Sequence, residues 1–367
     1  MNELQAIVPE ITLVTLACLV LLVDVFKKVD SKATFWTASL SLAIVALEVM
    51  IWQPTAPVLA FNSTFKLDQI ASLLKFFVLV LGFGAFFYAQ DHFDKFQKHQ
   101  TEFFSLALFS ISGMMVLISA HSLLTVYLGL ELLSLSLYAM VAMDRDSKLA
   151  AEAATKYFIL GALASGILLY GMSMLYGATG SLDLGEIKSF SGANRDEILL
   201  IFGLVFILVG IGFKLGIVPF HMWIPDVYEG SRTPVTLFLS SAPKIAAYAM
   251  ALRVLGEGLD GLATQWIQML TLLAVVSMGL GNVAAIAQSN FKRMLAYSTI
   301  AHMGFLLLGL IAASPGGYAA SMFYVIVYSI MGMGAFAALL LVITVKDNSE
   351  EISRFKGLAV SNPWISF

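Results

Sequence analysis

Apolar residues run in blocks of roughly twenty along nearly the whole chain, with short polar clusters between them. A helix of twenty residues is about 30 Å long, which matches the hydrocarbon thickness of a bilayer. Blocks bounded by charge or by Pro and Gly predict about eleven spans, at 5–26, 34–53, 68–89, 102–119, 122–142, 151–177, 196–225, 234–255, 264–288, 293–313 and 317–345. The predicted fold class is all-α, a polytopic membrane helix bundle. The longest polar loop, 178–195, predicts a short helix on the surface. The C-terminal SNPWISF reads as the opening of a further span that the sequence does not complete.

Charge placement sets an orientation. With the N-terminus outside, cytoplasmic loops hold thirteen of the 21 basic residues: Lys27, Lys28, Lys32, Lys95, Lys98, Arg145, Lys148, Arg232, Lys292, Arg293, Lys346, Arg354 and Lys356. External loops hold only Lys66, Lys188 and Arg195. That asymmetry predicts N-out. MNELQAIVPEI lacks a basic n-region and the following run contains Asp24, so the first block reads as a retained helix and not a cleaved signal.

Composition agrees with the pattern. Of 367 residues, 59% are hydrophobic and 12% charged, against about 25% charged in soluble domains. The single cysteine, Cys18, excludes an intrachain disulfide and a cysteine-held metal cluster. There is no Walker A pattern, no strand-borne GxGxxG and no paired-His haem pattern, so no cofactor is expected and no nucleic-acid partner.

The informative residues are charges inside the blocks: Glu131, Lys156, Lys214, Lys244 and, near one face, Lys75. A charge at a helix centre in hydrocarbon costs at least about 2.5–3.5 kcal/mol, so such residues normally line a hydrated, protein-enclosed path. In the fifth block Tyr127, Glu131, Ser134 and Tyr138 recur at +4, +3 and +4, on one helix face. In the seventh, Lys214 precedes Pro219, His221 and Pro225, with Gly212 and Gly216 beside it. Proline removes an N–H and its ring collides with the carbonyl four residues back, so this block predicts a broken helix of the kind transporters use for ion sites. In the eighth, Thr236, Ser240, Lys244 and Tyr248 follow a four-residue ridge with Pro243 directly before the lysine. Lys156, close to the cytoplasmic end of its block, either snorkels to that face or bridges Glu131 and Lys214; both readings stay open. Ser298, Thr299 and His302 form a small polar cluster at mid-depth of the tenth block. Lys75 and Arg253, near external ends, are expected to snorkel. An acid, three lysines and one or two histidines at comparable depth are the parts of a proton relay, driven by a partner or a second gradient.

Three runs carry a resemblance: GFKLGIVPFHMWIPDVYEGSRTPVTLFLSSAPKIAAY, SNFKRMLAYSTIAHMG and YLGLELLSLSLYAMVA. Together they resemble the antiporter-like membrane subunits of respiratory complex I, and PDVYEGSRTPV with Pro243–Lys244 is closer to the N type than to the L or M types. The resemblance implies about fourteen helices with two inverted five-helix repeats, each containing a broken helix. It divides this chain into an N-terminal three-helix segment (1–100), a first repeat (101–258) and an incomplete second repeat (259–367). It also implies a relay of Glu131, Lys156, Lys214, His221, Lys244 and His302, and no redox centre in the chain itself. Other membrane subunits of the K, M and L types, the lipid bilayer of a bacterial inner membrane and protons are the implied partners, with quinone reduction elsewhere as the drive. Phe367 falls where the second broken helix is expected to begin, so the terminal relay lysine of the family is missing from this sequence. A subunit of a multi-subunit cation/proton antiporter or membrane-bound hydrogenase, and a passive membrane scaffold, are the competing readings.

Overall fold

The computed structural model describes residues 3–27, 31–96, 100–342, 350–361 and 363. The chain opens with α1 (Glu3–Lys27) and α2 (Ser31–Ile51), then a short antiparallel hairpin of β1 (Val58–Ala60) and β2 (Phe65–Leu67), then α3 (Gln69–Phe96). There follow α4 (Gln100–Ile118), α5 (Leu123–Val141), α6 (Lys148–Thr179), α7 (Leu184–Ala193), α8 (Ile198–Leu215), α9 (Trp223–Gly230), α10 (Thr233–Ser240) and α11 (Ala242–Ala251). A π-helical segment, Leu252–Gly258, continues α11; then come α12 (Ala263–Ile286), α13 (Phe291–Ile311), α14 (Pro315–Val342) and the short α15 (Leu358–Ser361).

Among the described residues, ten segments are long and apolar enough to cross a membrane, and Glu102–Ile118 is a shorter apolar helix at the remaining predicted position. The polar loop carries α7, whose N-terminus is capped by Asp183 through the amides of Gly185 (2.8 Å) and Glu186 (3.0 Å). The predicted further span at SNPWISF lies almost entirely outside the described residues, as do Lys28, Lys98 and Lys346 and the side chains of Lys27 and Lys95.

Which helix sits at the centre follows from side-chain size. The most apolar stretch of Thr233–Gly258 is wholly buried, whereas only 22% of that of Asp260–Ile286 is. The buried segment is rich in Ala and hydroxyl residues, and small side chains let neighbouring helices approach where lipid gives no hydrophobic drive to association. The same logic sets the α4–α5 contact. A Cβ on Gly113 would stand 2.4 Å from the Leu133 amide nitrogen, and one on Gly129 2.7 Å from that of Leu117, so the two glycines bring the backbones together.

Three expectations are corrected. The eighth block is broken as well as the seventh: α10 ends at Ser240, Ser241 has φ −109° and ψ −93°, and α11 restarts with Pro243 in its first turn. The cause is Pro243, which has no N–H to donate and whose ring crowds the Leu239 carbonyl. Lys75 and Arg253 do not snorkel. Lys75 is 1% exposed and pairs at 2.5 Å with Glu10 of α1, with its ammonium 4.8 Å from the Phe65 ring centroid. Arg253, also 1% exposed, donates to both Asp68 oxygens at 2.8 Å, to Glu257 at 2.6 Å and to the Ile118 carbonyl at 3.2 Å. Lys66 joins the cluster through Glu257 at 2.7 Å. Burial pushes the Asp68 carboxyl upward, yet the Arg253 guanidinium outweighs it and holds the group below its usual range. Finally, Lys292 is not a loop residue. It is buried in the first turn of α13, donating to the Ser231 carbonyl at 2.8 Å and pairing with Glu350 at 2.6 Å.

Removing one member of a buried ion pair strands the other, at a cost of about 3–5 kcal/mol. Arg253→Leu should therefore lower the thermal stability of the assembled membrane complex or abolish retention of the chain in it, while Asp68→Asn with Arg253→Leu should recover much of the loss. Equal stability of the single and double variants would contradict this.

Candidate functional site

Lys214 lies in the last turn of α8, where the helix ends at Gly216 in a left-handed conformation (φ 83°). Pro219 occupies the position whose amide would normally bond the Leu215 carbonyl, and it has no proton to give. That freed carbonyl accepts from the Lys244 ammonium at 3.0 Å. The Phe213 carbonyl, also left over at the helix end, accepts from the Trp223 indole N–H at 3.0 Å. The Trp223 ring lies beneath Lys244, 5.4 Å from Nζ to the centroid, a cation–π contact. The break in the seventh span thus supplies both an oxygen and an aromatic face to the lysine of the eighth.

Toward α5, the Lys214 ammonium donates to Ser134 Oγ at 2.8 Å, and that hydroxyl donates to the Leu130 carbonyl at 2.6 Å. Glu131 lies three residues before Ser134 on the predicted face, and its carboxylate accepts from Ser165 of α6. Ser134, Ser165 and Lys214 border a cavity of about 10 Å³, room for a single water. Lys214 thus reaches Ser134 of α5, and Lys244 reaches the backbone carbonyl of the residue that follows Lys214; Lys214 is 8% and Lys244 2% exposed, and Glu131 is half-buried.

The remaining candidates sit elsewhere. His221 is buried in the turn joining α8 to α9, with Nδ1 lacking a hydrogen bond. The same turn is tied to α12 by the Val218 amide donating to Ser277 Oγ at 2.9 Å. His302 of α13 sets Nδ1 2.7 Å from the Tyr324 hydroxyl of α14 and packs on the Tyr328 ring, centroids 5.0 Å apart. Tyr328 donates to Thr299 at 2.7 Å, and its neighbour Ser329 donates to the Ser241 carbonyl at 3.2 Å, three residues before Lys244. Lys156 does not stand between Glu131 and Lys214. Its side chain is 42% exposed and pairs with Asp226 at 2.6 Å and Glu152 at 2.8 Å.

Sequence reasoning missed Ser165, a lone hydroxyl in an apolar block with no periodic partner, and the role of Asp226. Asp226 also accepts from Arg293 at 2.8 Å, and Arg293 reaches Glu229 at 2.7 Å. Burial pushes the Asp226 carboxyl up, but Lys156 and Arg293 outweigh it and hold the group below its usual range. The spacing of Asp226 from two basic residues remote in sequence left no local signal. Among the described residues no cluster of His, Cys, Asp or Glu could hold a metal ion.

Residues 120–367 match the family model described as NADH:quinone oxidoreductase/Mrp antiporter, transmembrane. NADH-quinone oxidoreductase subunit N of Thiobacillus denitrificans is 51% identical over 98% of this chain and 75% of that protein. The subunit N of Nitrosomonas europaea is 52% identical over the same shares, 98% and 75%. Among solved structures, a chain of respiratory complex I from Thermus thermophilus with bound aureothin superposes with a TM-score of 0.81, at 32% identity over 97% of this chain and 75% of that one. A family model covering well over half of the chain and relatives at this identity agree: the chain belongs to the NADH-quinone oxidoreductase subunit N family, within the antiporter-like transmembrane proteins.

Proposed function

We propose that the chain is a proton-translocating membrane subunit of a quinone-reducing NADH oxidoreductase, and that Glu131, Lys214 and Lys244 form the centre of its relay, with Lys156, His221 and His302 feeding or draining it. The observation that carries the reading is Lys214 bonded to Ser134 on the helix face that bears Glu131, with Lys244 docked on the Leu215 carbonyl and both ammonium groups buried. A carboxylate beside a buried ammonium stabilises the charged form of both; moving them apart destabilises the ammonium and favours release of its proton. Ser134 is the exchangeable link, because a hydroxyl both donates and accepts. The chain supplies no energy source of its own, so partner membrane subunits of the K, M and L types couple the relay to quinone reduction elsewhere. The excess of basic residues on one side supports an N-out arrangement in a bacterial inner membrane. The division into a three-helix segment to residue 100, a first repeat over 101–258 and a second from 259 is proposed with it.

In inverted membrane vesicles, Lys214→Met and Glu131→Gln should abolish most NADH-driven proton uptake while the complex still assembles. Unchanged pumping in both variants would support a passive scaffold and sink the relay. Ser134→Ala removes a hydrogen bond to a charged group, worth roughly 1.5–3 kcal/mol, so pumping should slow about tenfold or more. A rate within a factor of about two of the parent, equivalent to only ~0.4 kcal/mol, would remove Ser134 from the path.

A further inference from the structure

A slab of four aromatic rings lies against Lys244, and the helices that carry its central pair, α6 and α9, also carry Lys156 and Asp226. Tyr157 stacks on Trp223 with centroids 4.6 Å apart and planes 16° from parallel. Tyr138 meets Tyr157 edge-on at 4.6 Å, and Phe213 lies 5.5 Å from Trp223. All four are buried.

Two separate polar systems meet this slab. On one side, Lys244 rests on the Trp223 ring and Lys214 directly follows Phe213. On the other, Lys156 precedes Tyr157, and Asp226 lies one helical turn beyond Trp223 on α9. From Asp226 the charges continue through Arg293 to Glu229, which lines an open polar cavity of about 430 Å³ together with Arg232, Lys292 and Glu350. From this vestibule a chain of charges thus leads through Glu229 and Arg293 to Asp226, one turn of α9 from the Trp223 ring on which Lys244 rests.

The geometry points to the Trp223–Tyr157 stack as the gate of the relay: closed, it separates the Asp226 vestibule from Lys244; parted, it admits water to the lysine. This rests on the relay reading above and adds its control point. Trp223 is the first residue of an eight-residue helix and follows the irregular turn of the broken span, so its ring can move without unwinding a long helix. Its polar latch is the single hydrogen bond to the Phe213 carbonyl, and its aromatic face contributes to holding the Lys244 charge. With the stack parted, a hydronium on the vestibule side gives a proton to neutral Lys244. The new N–H bond forms as the O–H bond breaks, and water is left behind. With the stack closed, that proton has only the Lys214 side to leave by, which is what a one-way relay requires of a gate.

The test is passive leak, which a packing role would not produce. An imposed pH gradient is followed without substrate across sealed vesicles carrying the assembled complex. Trp223→Ala should collapse the gradient several-fold faster than the parent, Lys244→Met added to it should restore the parent rate, and Trp223→Phe should hold the gradient. An assembled Trp223→Ala complex that holds the gradient as well as the parent overturns the gate, as does a leak that Lys244→Met leaves in place. If Trp223→Ala does not assemble, Tyr157→Ala opens the stack from α6 and is read in the same way. Failure of the underlying relay shows differently, as normal pumping in Lys214→Met.

Discussion

A lysine ammonium buried in a bilayer must be surrounded by oxygen and π-electron partners, and most of this structure can be read as the provision of them. Helices consume their own carbonyls, so an apolar helical bundle has few to spare. Pro219 solves that shortage by withholding one N–H, which leaves the Leu215 carbonyl to Lys244. The helix end beside it frees the Phe213 carbonyl, which fixes Trp223 in place under the same lysine. Hydroxyls do the rest: Ser134 receives Lys214, and Ser165 faces Glu131. The two broken spans are thus the cause of the charged line and not a tolerated defect beside it.

Other buried charges serve to frame that line. Arg253 with Asp68 and Glu257 fixes the end of the fully buried span against α3 and the hairpin, and Lys75 with Glu10 binds α3 to α1. Lys292 secures the start of α13 to the Ser231 carbonyl and Glu350. These contacts are short, buried and made by side chains from separate segments, so they hold geometry. Around Lys214 the partners are a hydroxyl and a cavity for one water, the arrangement on which the proposed proton exchange rests.

Spans were legible because twenty-residue apolar runs have few alternative explanations, and Glu131 with Ser134 was legible because a 3.6-residue period places them on one face. The break in the seventh span announced itself through Gly216 and Pro219. The break in the eighth did not, although Pro243 was in view, because Thr236, Ser240, Lys244 and Tyr248 fit an unbroken ridge. Pairings between distant segments were invisible in principle. Nothing near Arg253 in the sequence indicates Asp68, and nothing near Lys156 indicates Asp226. Positions of lysines followed from local pattern, whereas their partners, and hence whether each one reaches the surface or is buried in a pair, followed only from the packing of helices.

The central proposal is that a polar line able to take up water joins Glu131, Lys214 and Lys244. It is tested most directly by a density map of the assembled complex fine enough to show ordered water. The account predicts water in contact with Lys214 Nζ beside Ser134 and Ser165, and further water reaching from Lys214 toward Lys244. Continuous apolar packing between the two ammonium groups, with no water against either, would contradict it.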